Sequence, residues 1–240
     1  MTQAPGAKGR TRVRALSVRL KTAPIELPTL ASNAPDRILA AAETLFATRG
    51  FDISLREITE LAQVNIAAVN YHFGSKTNLT EVLFDRVSHE INGKRLEDLE
   101  RLMVEAQCKG RPPELDGVIL AFLKPYLDLS EGGHLLARLI LQHRIEPSDL
   151  TREIIKTHFD PMAKRFIEAF RLALPSVDPT AFFWRYVFMV GAVVLTVTDS
   201  GPGNRLDRLS QGAADATRKD DFQKALLAFL RAGLSALDNP

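Results

Sequence analysis

The 240-residue sequence predicts an all-α protein of about nine helices. Three observations carry this reading. Apolar residues recur at spacings of three and four through almost the whole chain. Side chains that cap helices stand immediately before several of those runs. No stretch alternates β-branched residues or offers the turn dipeptides of a hairpin, and no internal repeat is present.

The elements follow in order. In helix one, 36–49, Ile38, Leu39, Ala42, Leu45 and Phe46 form one apolar face, and Gly50 supplies the stop. Helix two, 54–62, opens on Ser54-Leu55-Arg56-Glu57, a capping box in which hydroxyl and carboxylate each take a backbone N–H left open by the first turn. Its residues Ile58, Leu61 and Ala62 face inward. Gln63-Val64-Asn65 is long enough only for a tight turn, and Asn65 caps a third, very short helix that Gly74 ends. Ser75 caps a fourth, which runs from Lys76 through Leu79, Val82, Leu83, Val87 and Ile91 toward Leu99 and Met103, with a break expected near Gly93. Residues 109–113 read as a linker. Further helices are expected at about 114–130 (kinked at Pro125), 133–145, 148–173, 178–199 and 220–237, with 201–211 a polar loop. Three segments result: a tail over 1–33, a small helical module over 34–80 and a larger helical body over 81–240.

Composition narrows the function classes. An apolar content of 45% with 25% charged residues fits a globular chain with a sizeable core. The single cysteine, Cys108, excludes an internal disulfide framework and fits a reducing compartment, so a cytoplasmic location is expected. His72, His89, His134, His143 and His158 form no HxxxH or HExxH pair, and neither a metal nor a cofactor is expected. GxSxG, a Gly-rich phosphate loop and paired catalytic carboxylates are all missing, which argues against an enzyme.

The tail carries Lys8, Arg10, Arg12, Arg14, Arg19 and Lys21 against Glu26, a net +5, whereas 34–90 is net −3. A polyanionic partner and a solvated leader both account for it. Arg19, Lys21 and Pro24 interrupt any signal-peptide core, while an Arg-rich, acid-poor transit peptide remains compatible with the composition. Only 182–198 approaches membrane hydropathy. It holds Arg185 and falls short of the roughly 20 residues a span needs, so a buried helix is expected and no membrane partner.

Two helices joined by a three-residue turn form a helix-turn-helix. Stepping about 100° per residue from Ile66 puts Val69 and Phe73 beside it on the inner side, with Asn70 near the inner flank. Ala67, Ala68, Tyr71 and His72 point outward. Small side chains let a helix backbone approach base edges in a major groove, and alanines can meet thymine methyls. Tyr71, His72 and Lys76 at its exit suit phosphates. Taken singly, Tyr71 also fits a half-buried core position and His72 an ordinary surface site.

The stretch "RILAAAETLFATRGFDISLREITELAQVNIAAVNYHFGSKTNLTEVLFDR" resembles the N-terminal domain of the TetR family of transcriptional repressors. The helix-one "ILAAAETLFATRG", the capped second helix and "YHFGSK" stand in register over about fifty residues. The remaining helices resemble the family's ligand-binding and dimerisation domain in layout. "FWRY" and "FLRAGLSAL" are similar to members that control lipid metabolism. The resemblance implies a repressor that binds a palindromic double-stranded operator as a homodimer and is released by a small molecule. It places DNA contacts on Ser54, Arg56, Asn65, Ala67, Ala68, Asn70, Tyr71, His72 and Lys76. Asn70 stands where most members carry a tyrosine. With few base-reading groups in helix three, Arg56 becomes the candidate for a guanine contact.

In the body, Trp184, Val187 and Gly191 share one face of helix 178–199, and Phe222, Leu226, Phe229 and Gly233 lie on a stripe of the last helix. The resemblance makes these a dimer interface; periodicity alone equally allows intramolecular core. The other face of 178–199 carries Arg185, Phe188 and Met189. With Phe122, Tyr126, Phe159, Met162 and Phe166 they form a candidate apolar cavity for a hydrophobic acid, its anionic end held by Arg185, Arg138 or His143. A salt-bridged arginine in ordinary core is the other reading. Two further alternatives are a helical sensor or interaction protein without specific DNA binding, and an all-α enzyme.

Overall fold

The computed structural model describes residues 33–127, 131–200 and 203–236. The basic tail expected over 1–33 therefore lies outside the described residues, apart from Asn33. That residue opens α1 (Ala34–Arg49), its side-chain oxygen accepting the Asp36 N–H at 3.0 Å. Gly50 ends the helix at φ +82°, a backbone region that suits glycine. Ile38, Ala42, Leu45 and Phe46 are buried, as the apolar spacing requires.

Helices α2 (Leu55–Ala62), α3 (Ile66–Phe73) and α4 (Lys76–Cys108) follow, each capped at the expected residue: Ser54, Asn65 and Ser75. Gln63 takes the left-handed conformation at φ +53° and turns the chain between α2 and α3. The break expected near Gly93 does not occur: α4 is one helix of 33 residues. One glycine costs a helix only about 1 kcal/mol, and Leu83, Val87, Ile91 and Leu99 stay buried on either side of it.

The body contains α5 (Leu115–Leu127), α6 (Glu131–Ile145), α7 (Asp149–Ile154), a π-helical turn (Ile155–Phe159), α8 (Asp160–Ala173), α9 (Ala181–Thr198), α10 (Arg205–Ser210) and α11 (Lys219–Ser235). The single helix expected over 148–173 thus contains a π turn, and the loop expected over 201–211 contains α10. The described residues hold eleven α-helices and no strand. Helix α5 runs through Pro125. Gly133 in α6 packs directly on that turn, since a Cβ there would sit 2.0 Å from the Pro125 carbonyl oxygen.

These helices share one core. Helix α1 packs on α2, α3, α4 and α6, and α5 packs on α4, α6, α8 and α11. Arg86 on α4 bonds Glu43 on α1 at 2.7 Å, and Arg231 on α11 donates through Nε to Asp116 on α5 at 2.7 Å. Helix α9 departs from the expectation of burial all round. Phe182, Met189, Val193, Val194 and Val197 face inward, while Phe183, Trp184, Val187, Phe188 and Leu195 are exposed.

Candidate nucleic-acid interface and effector cavity

The short helix α3 is held by two buried side chains, Val69 and Phe73, one turn apart. At its start the Asn65 side chain accepts the Ala68 N–H at 2.9 Å. At its end Asn78 of α4 donates to the Phe73 carbonyl at 2.7 Å. Helix α2 is set by a complete capping box. Glu57 accepts the Ser54 N–H and hydroxyl, each at 2.8 Å, and Ser54 accepts the Glu57 N–H at 3.3 Å. The Ser54 N–H, then its hydroxyl, then the Arg49 guanidinium hold the Glu57 carboxyl down at about 2.

Ala67, Asn70, Tyr71 and His72 are exposed together on α3, with Tyr71 85% accessible. The Tyr71 and His72 rings meet edge to face at 4.9 Å. Arg56, 84% exposed at the start of α2, pairs through Nε with Glu60 at 2.9 Å. Four details differ from the helical wheel. Ile66 is 52% exposed, because it stands in the first turn, beyond the cover given to Val69 and Phe73. Ala68 is half-buried against the core. Asn70 lies on the open face rather than an inner flank, because the buried stripe is only two side chains wide. Lys76 is partly buried, and its ammonium donates to the Phe51 carbonyl at 2.7 Å instead of standing free.

In the body, Phe122, Tyr126, Phe159 and Met162 border a cavity of about 100 Å³, as the sequence suggests. Phe166 stands behind its wall, with its ring 5.4 Å from that of Phe122. The other expected residues are placed elsewhere. Arg185 donates to the Leu234 carbonyl at 2.7 Å and ties α9 to the end of α11. Arg138 stands over Gly50, where α6 meets the end of α1. His143 bonds the Thr151 hydroxyl at 2.9 Å; burial, then Arg144 and Arg152, lower its pKa and so disfavour a cation there. Phe188 is 65% exposed beside Trp184, and Met189 is buried outside the cavity wall. A helix with two apolar faces gives no sign in the sequence of which one turns inward.

The residue that sequence reasoning missed is Arg95. It occupies the i+4 stripe Leu79, Leu83, Val87, Ile91, Arg95, Leu99, every other member of which is apolar and buried. A lone cation in a buried stripe was the available signal. Tyr186 also lines the cavity, and burial raises its phenol pKa.

The expected dimer residues divide into two sets. Trp184, Val187, Phe229 and Gly233 lie on exposed surfaces of α9 and α11, with Gly191 half-buried and no atom within 4 Å of a Cβ built on it. Phe222 and Leu226 instead turn inward with Leu230 and Leu234 and form part of the protomer's own core. An apolar groove of about 490 Å³ between α9, α10 and α11 opens on the same side, lined among others by Ala192, Leu206 and Phe229.

Comparison with known proteins bears on both halves. Residues 38–83 match the model for bacterial regulatory proteins of the tetR family, and residues 120–233 match that for the tetracyclin repressor-like C-terminal domain. A curated relative, the HTH-type transcriptional regulatory protein RaaS of Mycobacterium tuberculosis, is 41% identical over 144 residues, covering 55% of this chain. The match spans 64% of that protein's length. A TetR-family structure from Rhodococcus sp. shares the fold with a TM-score of 0.56 at 18% identity, over 85% of this chain and 100% of the other. A TetR-like regulator from Rhodococcus sp. RHA1 gives 0.52 at 18% identity, over 87% and 100%. The matched families are regulators and not enzymes. With a capped helix-turn-helix at one end of a helical body and a family match to each, the chain belongs to the TetR family of bacterial regulatory proteins.

Proposed function

We propose that the protein is a transcriptional repressor that binds a palindromic operator as a homodimer and releases it when a small apolar effector enters the body. The observation that carries this reading is the open face of α3. Ala67, Asn70, Tyr71 and His72 are exposed on a helix anchored from behind by Val69 and Phe73. Small side chains allow approach to base edges, and phenol and imidazole at the exit suit phosphates. Arg56 supplies the long cationic reach that α3 lacks. Ser54 and Asn65 act by capping their helices, which fixes where α2 and α3 begin and so how Arg56 and the open face of α3 are held.

A recognition helix of two turns reads only a few base pairs, so two heads on one frame are needed. The exposed apolar side chains of α9 and α11 supply a surface for a second copy, Trp184, Val187 and Phe229 among them. An effector that prefers one separation of the two heads would shift the population away from the DNA-binding form.

Selection of bound sequences from a random duplex pool, with the full chain, tests the reading. A palindromic site is expected, bound in a salt-dependent way and lost in an Arg56→Ala/Tyr71→Ala double variant. Binding that survives the double variant would show that α2 and α3 are not the reading head. The net −3 of residues 34–90 and the engagement of Arg56 by Glu60 favour a second reading, a helical sensor without specific DNA binding. Failure to recover any enriched sequence would support it.

A further inference from the structure

Arg95 is 1% exposed, and among the described residues no carboxylate lies within 4 Å of it. Its guanidinium sits 4.5 Å from the Phe122 ring centroid and 4.6 Å from that of Tyr126. Nε donates to the Phe122 carbonyl at 3.0 Å and Nη1 to the Asn92 side-chain oxygen at 2.9 Å. Nη2 has no partner at all. A buried cation without a counter-charge is costly, and a buried N–H without an acceptor adds to that cost. The carbonyl, the amide and the two rings orient this guanidinium without neutralising it.

Arg95 also lines the cavity of about 100 Å³ that Phe122, Tyr126, Phe159, Met162 and Tyr186 border. We infer that this cavity binds a small apolar carboxylate, one ring or a short chain in size, with its carboxylate on Arg95. The planar guanidinium matches a carboxylate in geometry and supplies the charge-assisted donor that Nη2 leaves open. Aromatic walls suit the apolar part, and the small volume suits a body of one ring or a short chain. Two charged side chains face the same space from other elements, Arg144 of α6 and Asp160 of α8, both exposed. The arginine favours an incoming anion and the aspartate opposes it, so the buried Arg95 decides the sign.

The local backbone departs from regular helix at this site. Ile155 and Phe159, the two ends of the π turn, both line the cavity, and such turns recur where helices are shaped for ligands. Asn92 bridges the two elements, accepting from Arg95 and donating to the His158 carbonyl of the π turn at 3.1 Å. His158 in turn bonds Asp85 at 2.7 Å, back on α4. An anion drawn to Arg95 therefore pulls on α4 and on the π turn together.

This inference rests on the regulator reading only for its consequence, release of DNA, and the test separates the two. Thermal shift and calorimetry on the full chain would use benzoate and hexanoate, each against its neutral amide. Both acids are expected to raise the melting temperature more than their amides, and Arg95→Met to weaken acid binding by roughly tenfold or more. Equal shifts from acid and amide, or no shift from any of them, would overturn the inference without using any variant. Undiminished acid binding by a folded Arg95→Met protein would overturn it too. Binding of the selected duplex is measured in the same samples. Arg95-dependent acid binding that leaves the duplex bound upholds the anion site and removes its role as effector site. Absence of acid binding by the parent chain, with the duplex still bound, overturns the anion site and leaves the regulator reading standing.

Discussion

Lys76 Nζ donates to the carbonyl oxygen of Phe51 at 2.7 Å, so the first residue of α4 closes the turn between α1 and α2. An ammonium in that position supports the head from behind. Lys76→Met is expected to lower stability by about 1.5 kcal/mol, the low end for a hydrogen bond from a charged group, as measured by urea denaturation. Tyr71→Phe, by contrast, should leave the urea midpoint unchanged, since the Tyr71 side chain is almost fully exposed.

Arg56 and Glu60 lie one turn apart on α2 and hold each other at 2.9 Å in solvent. An exposed pair of this kind adds little to stability, but on the proposed reading Glu60 would compete with DNA for the guanidinium. Glu60→Gln should tighten duplex binding with no change in melting temperature. Arg56→Ala should weaken it by roughly ten- to a hundredfold and relax preference at one base pair, read by fluorescence anisotropy on single-substitution duplexes.

The capping box of α2 makes a pH prediction. Glu57 is held at about 2 in the folded chain, below its usual value of 4.5. A carboxyl depressed in this way contributes stability fully above about 4.5 and loses it as pH falls toward 2. Glu57→Gln should remove that part of the acid sensitivity, visible as a flatter curve of melting temperature against pH over that window. Ser54→Ala removes the cap itself and should cost about 1 kcal/mol near neutrality.

Gly133 and Gly191 should answer substitution in opposite ways. A methyl group at Gly133 would meet the Pro125 carbonyl at 2.0 Å, and backbone cannot swing aside as a side chain can. Gly133→Ala is expected to cost about 1–3 kcal/mol or more through forced separation of α5 and α6. A methyl group at Gly191 would meet nothing within 4 Å beyond its own helix, so Gly191→Ala should leave the protomer's far-ultraviolet circular dichroism intact.

The exposed side chains of α9 and α11 predict the oligomer. Trp184→Asp combined with Phe229→Asp touches no buried position, so each protomer should stay folded. Sedimentation should report half the mass of the parent protein, and duplex binding should fall with it. A parent chain that sediments as a monomer would overturn the homodimer reading, and a dimer that survives the double variant would place the interface elsewhere.

Much of this was legible beforehand because caps and glycines act locally. Ser54, Asn65, Ser75 and Gly50 act where their chemistry says they should, whereas the caps Asn33, Ser148 and Asn204 go unread in the sequence. What was not legible depends on neighbours. Arg185, Arg138 and His143 share charge or polarity with Arg95, but Arg185 bonds a carbonyl of α11, Arg138 stands over Gly50 and His143 bonds a threonine of α7. Nothing along the sequence names those partners. Phe188 and Met189 are adjacent and both apolar, and only the packing of α9 decides that one is exposed and the other buried. Gly93 invited a break because propensity is local, whereas the burial of Ile91, Arg95 and Leu99 around it is not.

The absence of that break turns α4 into a lever. At about 1.5 Å per residue, the stretch from Arg95 to Lys76 is roughly 28 Å of unhinged rod. A tilt of about 5° at the Arg95 end would carry the Lys76 end sideways by roughly 2.5 Å over that length. Lys76 grips the turn before α2, and Asn78 grips the end of α3, so the head has little freedom to stay behind. A flexible joint at Gly93 would have absorbed the same motion as a local bend.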